Sequence, residues 1–447
     1  MNDERIDLYK QFERINYIDP SYYEKFRVKR GLRNADGTGV LAGMTNISNV
    51  HGYLLSDGDK LSDEGSLRLR GYEITDLLGE ESSTTRFSFE EVAYLLLLGE
   101  LPTRDQLDTF IAAIDAQREL PDGFTASMIL KDTPPDIMNV LARSILLLYA
   151  YDPNAEDRSP EHEINTAISL MSRVPRMMVL TYYAQQARYH NGSMIMHRFI
   201  SGQSTAETIL SMLRPNREFT PEEARMLDVM LCLHAEHGGG NNSTFTTRVM
   251  SSADTDPYSV YAAAICSLKG KKHGGANHQV RAMQADIKQH VSNWEDDDEV
   301  ADYLAKIVNK QAYDKSGLVY GMGHAVYTLS DPRAVICKKY AKNLAEGTEF
   351  EAEYRLLESI ERLAPEVILR ERGTKKDMCA NIDMYSGFVY SMMGIPEDLY
   401  TPLFACARMA GWAAHRFEEI VAGKRIIRPA YKSTRSGSRP YTPISER

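Results

Sequence analysis

The sequence predicts a mainly α-helical fold with a few short β-hairpins near its N-terminus. Apolar residues recur three and four positions apart through most of the chain, which is the spacing of amphipathic helices. Strand-like alternation with glycine punctuation is clearest within residues 39–58 and 65–72. Strands and helices do not alternate along the chain, so a parallel α/β sheet is not expected.

Several helices are marked by the signals that start or stop them. A helix is predicted from Ser88, which precedes an acidic first turn. Another is predicted after Thr220, with Pro221 at its first position and Glu223 where a capping box requires it. Further helices are predicted over NVLARSILLLYAY, over EINTAISLMSRV, and over TPLFACARMAGWAAHRFEEIVAG, which ends at Gly423.

Composition narrows the class of protein. The chain has 447 residues, 43% hydrophobic and 26% charged, which fits an ordinary globular protein of roughly three domain-sized units at ~150 residues each. Its formal net charge of -10 argues against general binding of nucleic acids or anionic membranes. If the substrate is an anion, the positive groups that bind it must therefore be locally concentrated.

Cysteine usage and the N-terminal sequence indicate a cytoplasmic protein. The five cysteines are scattered and form no C-x-x-C pair, which fits a reducing compartment and argues against a thiolate zinc site. The polar, acidic start MNDERIDLYKQFERINYIDP resembles neither a signal peptide nor a transit peptide. No run of 18 apolar residues predicts a membrane span.

One stretch places a histidine between lysines and glycines just before a predicted helix. In SLKGKKHGGANHQVRAMQADIK, His273 precedes two glycines, and Asn277 to Lys288 has helical periodicity. The positive end of a helix disfavours a second proton on a nearby imidazole. A neutral ring donates a hydrogen bond to a developing oxyanion, and the glycines leave room for a substrate. A surface histidine in a loop is the alternative interpretation.

A second stretch, LHAEHGGGNNSTFTTR, combines two histidines with three glycines. His234 and His237 are three positions apart and share a helical face, so a metal site is conceivable. The H-E-x-x-H pattern is absent, however, and no nearby carboxylate or cysteine has convincing ligand spacing. The sequence therefore favours a polar, glycine-lined pocket floor and no metal.

A third stretch, GLVYGMGHAVYTLSDPRA, is a glycine loop that ends in a histidine. Gly317, Gly321 and Gly323 allow the backbone to approach a ligand closely, and His324 follows at once. The DPR turn is expected to aim the guanidinium of Arg333 back toward the loop. The pattern is neither the dinucleotide fingerprint nor a P-loop, so as a glycine loop alone it is weak support for any ligand.

A fourth stretch, CANIDMYSGFVYSMMGIP, contains a single carboxylate among apolar residues. An apolar setting raises the pKa of Asp383 by desolvation, which makes its ionised form a stronger base. The alternative is a helix N-cap, because aspartate often precedes a helical run.

Taken together, the motifs resemble the citrate synthase family, of the common si type in its bacterial form. The family has H-x-x-H-x-x-x-N, and 36 residues after the second histidine it has H-G-G/L-A-N; here these two histidines are His237 and His273. Then follow GMGHAVYTLSDPR, ANIDMYSG, ARMAGWAAHR and IIRP, so that the resemblance spans about residues 40–431. Met322 replaces an aromatic residue, and Ala380 and Ile382 replace proline and valine. These departures conserve shape and spare the functional groups.

The resemblance implies an acyltransferase of almost wholly helical fold that condenses acetyl-CoA with oxaloacetate and water to give citrate and CoA. It implies no metal or redox cofactor, since acetyl-CoA is a substrate, and it implies a homodimer or a multiple of one. It implies a large helical domain (41–274 and 395–431) and a small, mobile domain on the CoA side (275–394). Residues 1–40 lie outside the resemblance and are expected to form an N-terminal arm or extension, and residues 432–447 are expected to form a basic C-terminal tail.

The resemblance also implies roles for individual residues. Asp383 would be the base for the methyl group of acetyl-CoA, and His273 the neutral donor to the thioester oxygen. His324 would polarise the oxaloacetate carbonyl. The implied oxaloacetate-binding residues are His237, Arg333, Arg408 and Arg428, the last contributed by the neighbouring subunit. The implied CoA-binding residues are Gly317, Leu318, Val319, Tyr320, Gly321, Met322, Gly323 and Lys376.

Three alternatives stay open at this point. A 2-methylcitrate synthase would use propionyl-CoA, and one extra methylene is worth only about 1–3 kcal/mol of discrimination. A helical binding protein could keep this fold without catalysis, although intact His273, His324 and Asp383 argue against it. A metal-dependent hydrolase built on His234 and His237 is the third.

Overall fold

The computed structural model describes residues 10–34, 36–56, 59–79, 86–373, 377–435 and 437–446. The chain divides into two compact units, one of Gly43–Ile426 and one of Met1–Ala42 with Ile427–Arg447. The predicted large and small domains both lie mainly within the first unit, and the boundary between them stays a prediction.

The larger unit begins with a small antiparallel sheet. Its strands are β1 (Ser48–Ser56), β2 (Asp59–Leu69) and β3 (Tyr72–Glu73), in the order β1-β2-β3. The register shifts between His51 and Tyr53, where Gly52 forms an irregularity in the ladder. The predicted N-terminal hairpins are confirmed, although the polar first half of β2 carries no strand pattern of its own.

Helices form the remainder of the larger unit, and the mainly α fold is confirmed. Those before residue 240 are α1 (Ile74–Leu77), α2 (Ser88–Leu98), α3 (Arg104–Ala116), α4 (Ile137–Leu148), α5 (Pro160–Tyr189), α6 (Thr205–Leu213) and α7 (Pro221–Ala235). Those after it are α8 (Asn242–Ser251), α9 (Pro257–Leu268), α10 (Ala276–His290), α11 (Asp297–Val308), α12 (Pro332–Ala345), α13 (Glu351–Arg372), α14 (Asp383–Met392) and α15 (Tyr400–Ala422).

The predicted helix boundaries hold where capping residues mark them. Thr220 accepts a hydrogen bond from the Glu223 backbone N–H in a complete capping box, and α15 ends next to Gly423. Helix α5 is the exception, because it continues past Pro175 to Tyr189. Proline removes one helical hydrogen bond, but the side chains after it are buried in the core, and this burial keeps the helix continuous.

Helix α15 lies at the centre of the core and carries polar residues into it. Trp412, Arg408, His415 and Arg416 on this helix are all fully buried. Buried charged groups require partners, and Arg416 finds one in Glu163 of α5, with Nε to Oε2 at 2.7 Å. Among the described residues, no helix is both long and apolar enough to cross a membrane.

The smaller unit contains the two chain ends. It includes helical residues 10–16, the short helix Ser21–Lys25 and a 3-10 turn at Ile444–Glu446. The Lys432 ammonium lies 5.5 Å from the centre of the Phe26 ring, so the N-terminal and C-terminal segments contact each other. The basic tail is thus packed against the N-terminal segment in part.

Candidate active site

The loop after helix α7 is shaped by a buried glutamate. Glu236 Oε1 accepts hydrogen bonds from the backbone N–H of Gly238 (2.6 Å), from Ser48 Oγ (2.8 Å) and from His415 Nε2 (2.8 Å). Burial alone would raise the pKa of Glu236, but His415 and these hydrogen bonds lower it to about 2. Gly238 has a φ of 86°, so the chain turns sharply there, and His237 lies next to His324 and Tyr327.

Three rings contact each other next to this loop. The His237 ring lies 5.1 Å from the His324 ring and 5.5 Å from the Tyr327 ring, measured between centroids. The His324 ring is stacked on Tyr327 at 4.6 Å, and His237 Nε2 lies 3.2 Å from the Tyr327 hydroxyl. The structure therefore brings together the two histidines that the sequence separates by 87 positions.

The tautomer of His324 follows from its backbone contacts. His324 Nδ1 accepts hydrogen bonds from the backbone N–H groups of Val326 and Tyr327, each at 3.1 Å. A ring nitrogen that accepts two such bonds carries no proton. The proton of the neutral ring is therefore on Nε2, which makes that atom a hydrogen-bond donor.

Arg333 is held by the residue that caps its own helix. Asp331 accepts the Arg333 backbone N–H (3.0 Å) and also receives Nε (3.1 Å) and Nη2 (2.8 Å) of the guanidinium. Burial opposes the charge, but the Asp331 carboxylate raises the pKa of Arg333. The guanidinium also lies 5.8 Å from the Tyr327 ring, so the predicted DPR turn does bring Arg333 to the histidine cluster.

Arg408 is fully buried and incompletely paired. Its Nε donates to the His234 carbonyl at 2.6 Å, and its guanidinium lies 4.8 Å from the Phe404 ring. Its Nη1 and Nη2 have no hydrogen-bond partner among the described residues. Burial lowers the pKa of Arg408 to about 10 despite the nearby Glu236 carboxylate. Two unsatisfied donors on a buried cation are costly, and an anion would satisfy both.

Burial and, after it, the two arginines keep the neighbouring histidines uncharged. Burial first, and then Arg333 and Arg408, lower the pKa of His234 to about 3. The same causes, together with His324, lower the pKa of His237 well below its usual range. The buried His234 contacts Phe404 at 4.7 Å between ring centroids, as the Arg408 guanidinium does at 4.8 Å. The positive charge of the pocket therefore resides on guanidiniums.

His273 lies in a turn immediately before helix α10, as predicted. Its Nε2 lies 3.0 Å from Ser243 Oγ, which also receives the Trp412 indole N–H at 3.1 Å. Its ring faces the edge of Phe404 at 6.1 Å. The pKa of His273 is lowered to about 4, by burial first and by Arg408 second. The expectation of a lowered pKa is correct, but these two causes replace the helix N-terminus that the sequence suggested.

Asp383 is the first residue of helix α14 and not its N-cap. Its backbone N–H donates to Asn381 Oδ1 at 3.0 Å, which leaves its carboxyl group for other contacts. Burial raises the pKa of Asp383 to about 6, with Arg333 opposing this effect and Asp331 adding to it. The interpretation as a carboxyl group of raised pKa is thus supported over the capping alternative.

Asn381 also ties Asp383 to the glycine loop. Its Nδ2 donates to the Gly323 carbonyl at 2.9 Å, and its backbone N–H donates to the Gly321 carbonyl at 2.9 Å. Gly317, Gly321 and Gly323 have φ values of 81°, 85° and 84°, which favour glycine. The loop between Gly317 and Gly323 thus lies beside the start of α14, with Leu318 exposed and Val319 buried.

Two predicted site residues do not belong to the described part of the larger unit. Lys376 lies outside the described residues. Arg428 is exposed and belongs to the smaller unit. Within the described residues, no group of three or more His, Cys, Asp or Glu side chains is arranged to hold a metal ion.

Several residues of the cluster were not predicted, among them Ser243, Tyr327, Asn381 and Trp412. These four belong to the motif stretches quoted above, which is the signal that was available. Their partners, however, are distant in sequence: Trp412 lies 169 positions from Ser243. Local patterns cannot reveal such pairs.

Comparison with known proteins identifies the family of this arrangement. The family model described as citrate synthase, C-terminal domain, matches residues 34–430. A citrate synthase of Deinococcus radiodurans is 34% identical over 90% of this chain and 100% of its own length. A 2-methylcitrate synthase of Corynebacterium glutamicum is 32% identical over 94% of this chain and 99% of its own length.

A solved structure with the same fold has its ligands bound. It is the ternary complex of carboxymethyl coenzyme A and oxaloacetate with citrate synthase from the archaeon Thermoplasma acidophilum. Its TM-score is 0.75 at 25% sequence identity, over 94% of this chain and 99% of that chain.

Proposed function

The chain belongs to the citrate synthase family, and we propose that the cluster around His237, His273, His324 and Asp383 condenses acetyl-CoA with oxaloacetate and water to give citrate and CoA. Membership of the family makes the protein a condensing acyltransferase. The roles of the single residues, the acyl-CoA and the assembly are what we propose here.

The observation that carries the proposal is the incompletely paired guanidinium of Arg408. Its two unsatisfied nitrogens are buried beside two neutral histidines, which is a setting that favours an anion. A planar guanidinium binds a carboxylate through two parallel hydrogen bonds, which fixes direction as well as charge. A dicarboxylate such as oxaloacetate would occupy Arg408 with one end, while Arg333 and His237 contact the remainder.

Enolisation of acetyl-CoA needs a base and a donor. Asp383, with a pKa of about 6, is ionised at neutral pH and more basic than an ordinary aspartate, so it can remove a methyl proton. His273 would donate from Nδ1 to the thioester oxygen. This requires its Nε2 to accept the hydroxyl proton of Ser243, whose oxygen in turn receives the Trp412 N–H. Asn241 Oδ1, 3.0 Å from the same hydroxyl, competes for that proton.

The carbon–carbon bond then forms between the enol carbon and the ketone carbon of oxaloacetate. The electron pair of the ketone moves to its oxygen, and His324 Nε2–H donates its proton to that alkoxide. Water next attacks the thioester carbonyl of the citryl-CoA intermediate; one of its protons leaves with sulfur as the thiol of CoA, the other restores Nε2–H of His324, and Asp383 releases the methyl proton to solvent. Preorganised donors of this kind stabilise developing charge without reorganisation, which is the usual source of rate enhancement.

CoA would bind along the glycine loop. The backbone from Gly317 to Gly323 has three positive φ values, and it is hydrogen-bonded to the segment that leads to Asp383. A ligand on this loop would therefore present its thioester near Asp383. We also assign Lys376 to the CoA phosphates. Closure of a small domain over the ligands would exclude water and limit hydrolysis of free acetyl-CoA.

We further propose a cytoplasmic homodimer that uses neither a metal nor a redox cofactor. Each step above is a proton transfer or a carbonyl addition, for which imidazole and carboxylate groups suffice. In the dimer, Arg428 of one subunit would complete the oxaloacetate site of the other.

The test is the initial rate of CoA thiol release with acetyl-CoA or propionyl-CoA, each with and without oxaloacetate. A blank without substrate corrects for the five cysteines of the protein. Release that requires oxaloacetate and favours acetyl-CoA is the expected result, and Asp383→Asn should abolish it while oxaloacetate still binds. Preference for propionyl-CoA would identify a 2-methylcitrate synthase. Absence of release with either thioester would favour a helical binding protein without catalysis. Loss of activity in the presence of chelators would favour the metal-dependent hydrolase.

A further inference from the structure

Three motif residues in this chain take no part in the mechanism above. Asn277 follows the histidine of HGGAN by four positions, and Ser386–Gly387 follow the aspartate of DMYSG. In the structure these residues meet, because Asn277 Nδ2 donates a hydrogen bond to Ser386 Oγ. Asn277 and Ser386 are both buried. We call the three residues Asn277, Ser386 and Gly387 the helix joint.

The helix joint has no room for a larger side chain. A Cβ atom on Gly387 would lie 2.5 Å from Asn277 Oδ1 and 2.6 Å from Arg281 Cγ. Both distances are far below van der Waals contact, so an added methyl group on α14 would displace the side chains of Asn277 and Arg281, which both belong to α10. Asn277 Oδ1 is buried and has no hydrogen-bond partner among the described residues. A buried acceptor without a hydrogen bond costs free energy, and Asn277 carries this cost in its position against Gly387.

The two helices that cross at this joint begin at the two groups that enolise the substrate. Helix α10 starts three residues after His273, and the backbone N–H of Ala276 donates to the His273 carbonyl at 3.3 Å. Helix α14 starts with Asp383 itself. A displacement of one helix relative to the other is therefore a displacement of the donor relative to the base.

A second contact holds the same pair of helices together. Gln284, fully buried on α10, donates its Nε2 to the Met384 carbonyl at 2.9 Å, one residue after Asp383. The Gln284 Oε1 accepts from Arg281 at 3.0 Å, and Arg281 pairs with Glu353 of α13. On the other side, Thr401 Oγ1 donates to the Gly274 carbonyl at 3.0 Å and holds the His273 turn.

We propose that Asn277, Ser386 and Gly387 are positioning residues that set the separation between the hydrogen-bond donor His273 and the base Asp383. This rests on the proposed roles of His273 and Asp383. Oxaloacetate is held by a different set of groups, on Arg408, Arg333 and His237. A disturbed joint therefore slows removal of the methyl proton while it leaves oxaloacetate binding nearly unchanged.

The experiment follows exchange of the acetyl-CoA methyl protons with deuterated solvent in the presence of malate, which has no ketone to be attacked. Gly387→Ala should lower the exchange rate about 10- to 100-fold, since misplacement of about 1 Å has effects of this size. The KM for oxaloacetate in the full reaction should change less than about twofold. Exchange at the wild-type rate would overturn the proposal, and so would an increase in this KM that matches the loss of exchange.

Two comparisons separate positioning from general loss of stability. Leu304→Ala truncates a fully buried residue of α11 and should lower the melting temperature, yet the folded protein should exchange at the wild-type rate. Asn277→Ala removes the atom closest to the added methyl, so Asn277→Ala/Gly387→Ala should lose less than the product of the two single losses. If the loss of exchange in the double variant equals the product of the two single losses, Asn277 and Gly387 act independently and the helix joint is contradicted.

The proposed roles and the joint can fail separately. Asp383→Asn should exchange no methyl protons under the same conditions. If it still exchanges them, the assignment of the base is wrong, whatever Gly387→Ala does. If Asp383→Asn does not exchange methyl protons and Gly387→Ala exchanges them at the wild-type rate, Asp383 is the base and the residues of the helix joint are not positioning residues.

Discussion

At the scale of single residues, the pocket combines groups whose pKa values have been moved in different directions. Burial raises the pKa of Asp383 to about 6 and lowers that of His273 to about 4. At neutral pH the carboxyl group is therefore ionised and the imidazole is neutral, as a base and a donor for enolisation need to be. Arg408 remains charged, but its pKa is lowered to about 10. Burial of these ionisable groups lowers the free energy of unfolding, which is a common trade-off at functional sites.

The raised pKa of Asp383 predicts the acid limb of the pH profile. Below pH ~6 the carboxyl group is protonated and cannot accept the methyl proton, so kcat/KM for acetyl-CoA should fall about tenfold per pH unit. His273 changes charge only near pH 4 and should not contribute above it. Initial rates between pH 5 and pH 8 would show this limb, with circular dichroism at each pH to exclude unfolding. A flat profile down to pH 5 would contradict the assignment.

Arg408→Met should separate binding from stability. Methionine has no charge, so the unsatisfied Nη1 and Nη2 disappear, while the hydrogen bond from Nε to the His234 carbonyl is lost; because the two effects oppose each other, the melting temperature without ligand should change little. The KM for oxaloacetate should rise about 100-fold or more, since a buried charged contact to a ligand is worth roughly 2–5 kcal/mol. Thermal shifts with and without oxaloacetate would measure both effects. Protection of the variant by oxaloacetate equal to that of the wild type would refute the role of Arg408.

At the scale of elements, the hairpin of β1 and β2 supports the loop between His324 and Arg333. Thr328 Oγ1 accepts the Asp63 backbone N–H at 3.0 Å, and Ser330 Oγ accepts that of Gly65 at 3.0 Å. A Cβ on Gly52 would lie 2.6 Å from Tyr327 Cα, and one on Gly65 would lie 2.0 Å from the Ser330 carbonyl oxygen. Glycine at both positions lets two backbones approach closely.

Gly65→Ala should therefore destabilise the protein and weaken oxaloacetate binding. The added methyl group meets backbone and not a flexible side chain, so we expect the free energy of unfolding to fall by about 1–3 kcal/mol. The KM for oxaloacetate should also rise, because Arg333 follows the displaced segment. Denaturant unfolding and steady-state kinetics measure the two effects. Gly43→Ala is the control, since a Cβ there would meet nothing within 4 Å; equal behaviour of both variants would disprove the argument.

Local sequence signals predicted the elements wherever a capping residue or a clear period was present. Thr220, Pro221 and Glu223 marked the start of α7, and Gly423 marked the end of α15. The continuation of α5 past Pro175 was not predicted, because tertiary burial outweighs the loss of one backbone hydrogen bond. The polar start of β2 was not predicted either, because its pairing with β1 decides its structure.

The candidate site was predicted to a similar extent, and for related reasons. His273, His324 and Asp383 stood in motifs that can be read along the chain. The contacts that set their chemistry join distant segments, such as Ser243 with His273 and Asn277 with Ser386. No local period encodes these pairs. The causes of the lowered pKa of His273, which are burial and Arg408, became visible for the same reason only in the folded chain.

At the scale of the whole molecule, one proposed site residue lies outside the larger unit. Arg428 belongs to the segment Ile427–Arg447, whereas the other described site residues lie within Gly43–Ile426. A C-terminal segment that carries an arginine can complete a site in its own subunit or in a partner. In the first arrangement Arg428 serves the site of its own subunit, and in the second it serves the site of the partner. The two arrangements make opposite predictions for dimers that contain two different variants.

Hybrid dimers of Asp383→Asn and Arg428→Ala subunits decide between these arrangements. If Arg428 acts across the dimer, one site of each hybrid carries both substitutions and the other carries neither. Hybrids isolated by two different affinity tags should then have about half of the wild-type activity at low oxaloacetate, while each parent variant is nearly inactive. If Arg428 acts within its own subunit, every site carries one substitution and activity stays at the level of the parents. Failure to recover any doubly tagged protein would reject the homodimer itself.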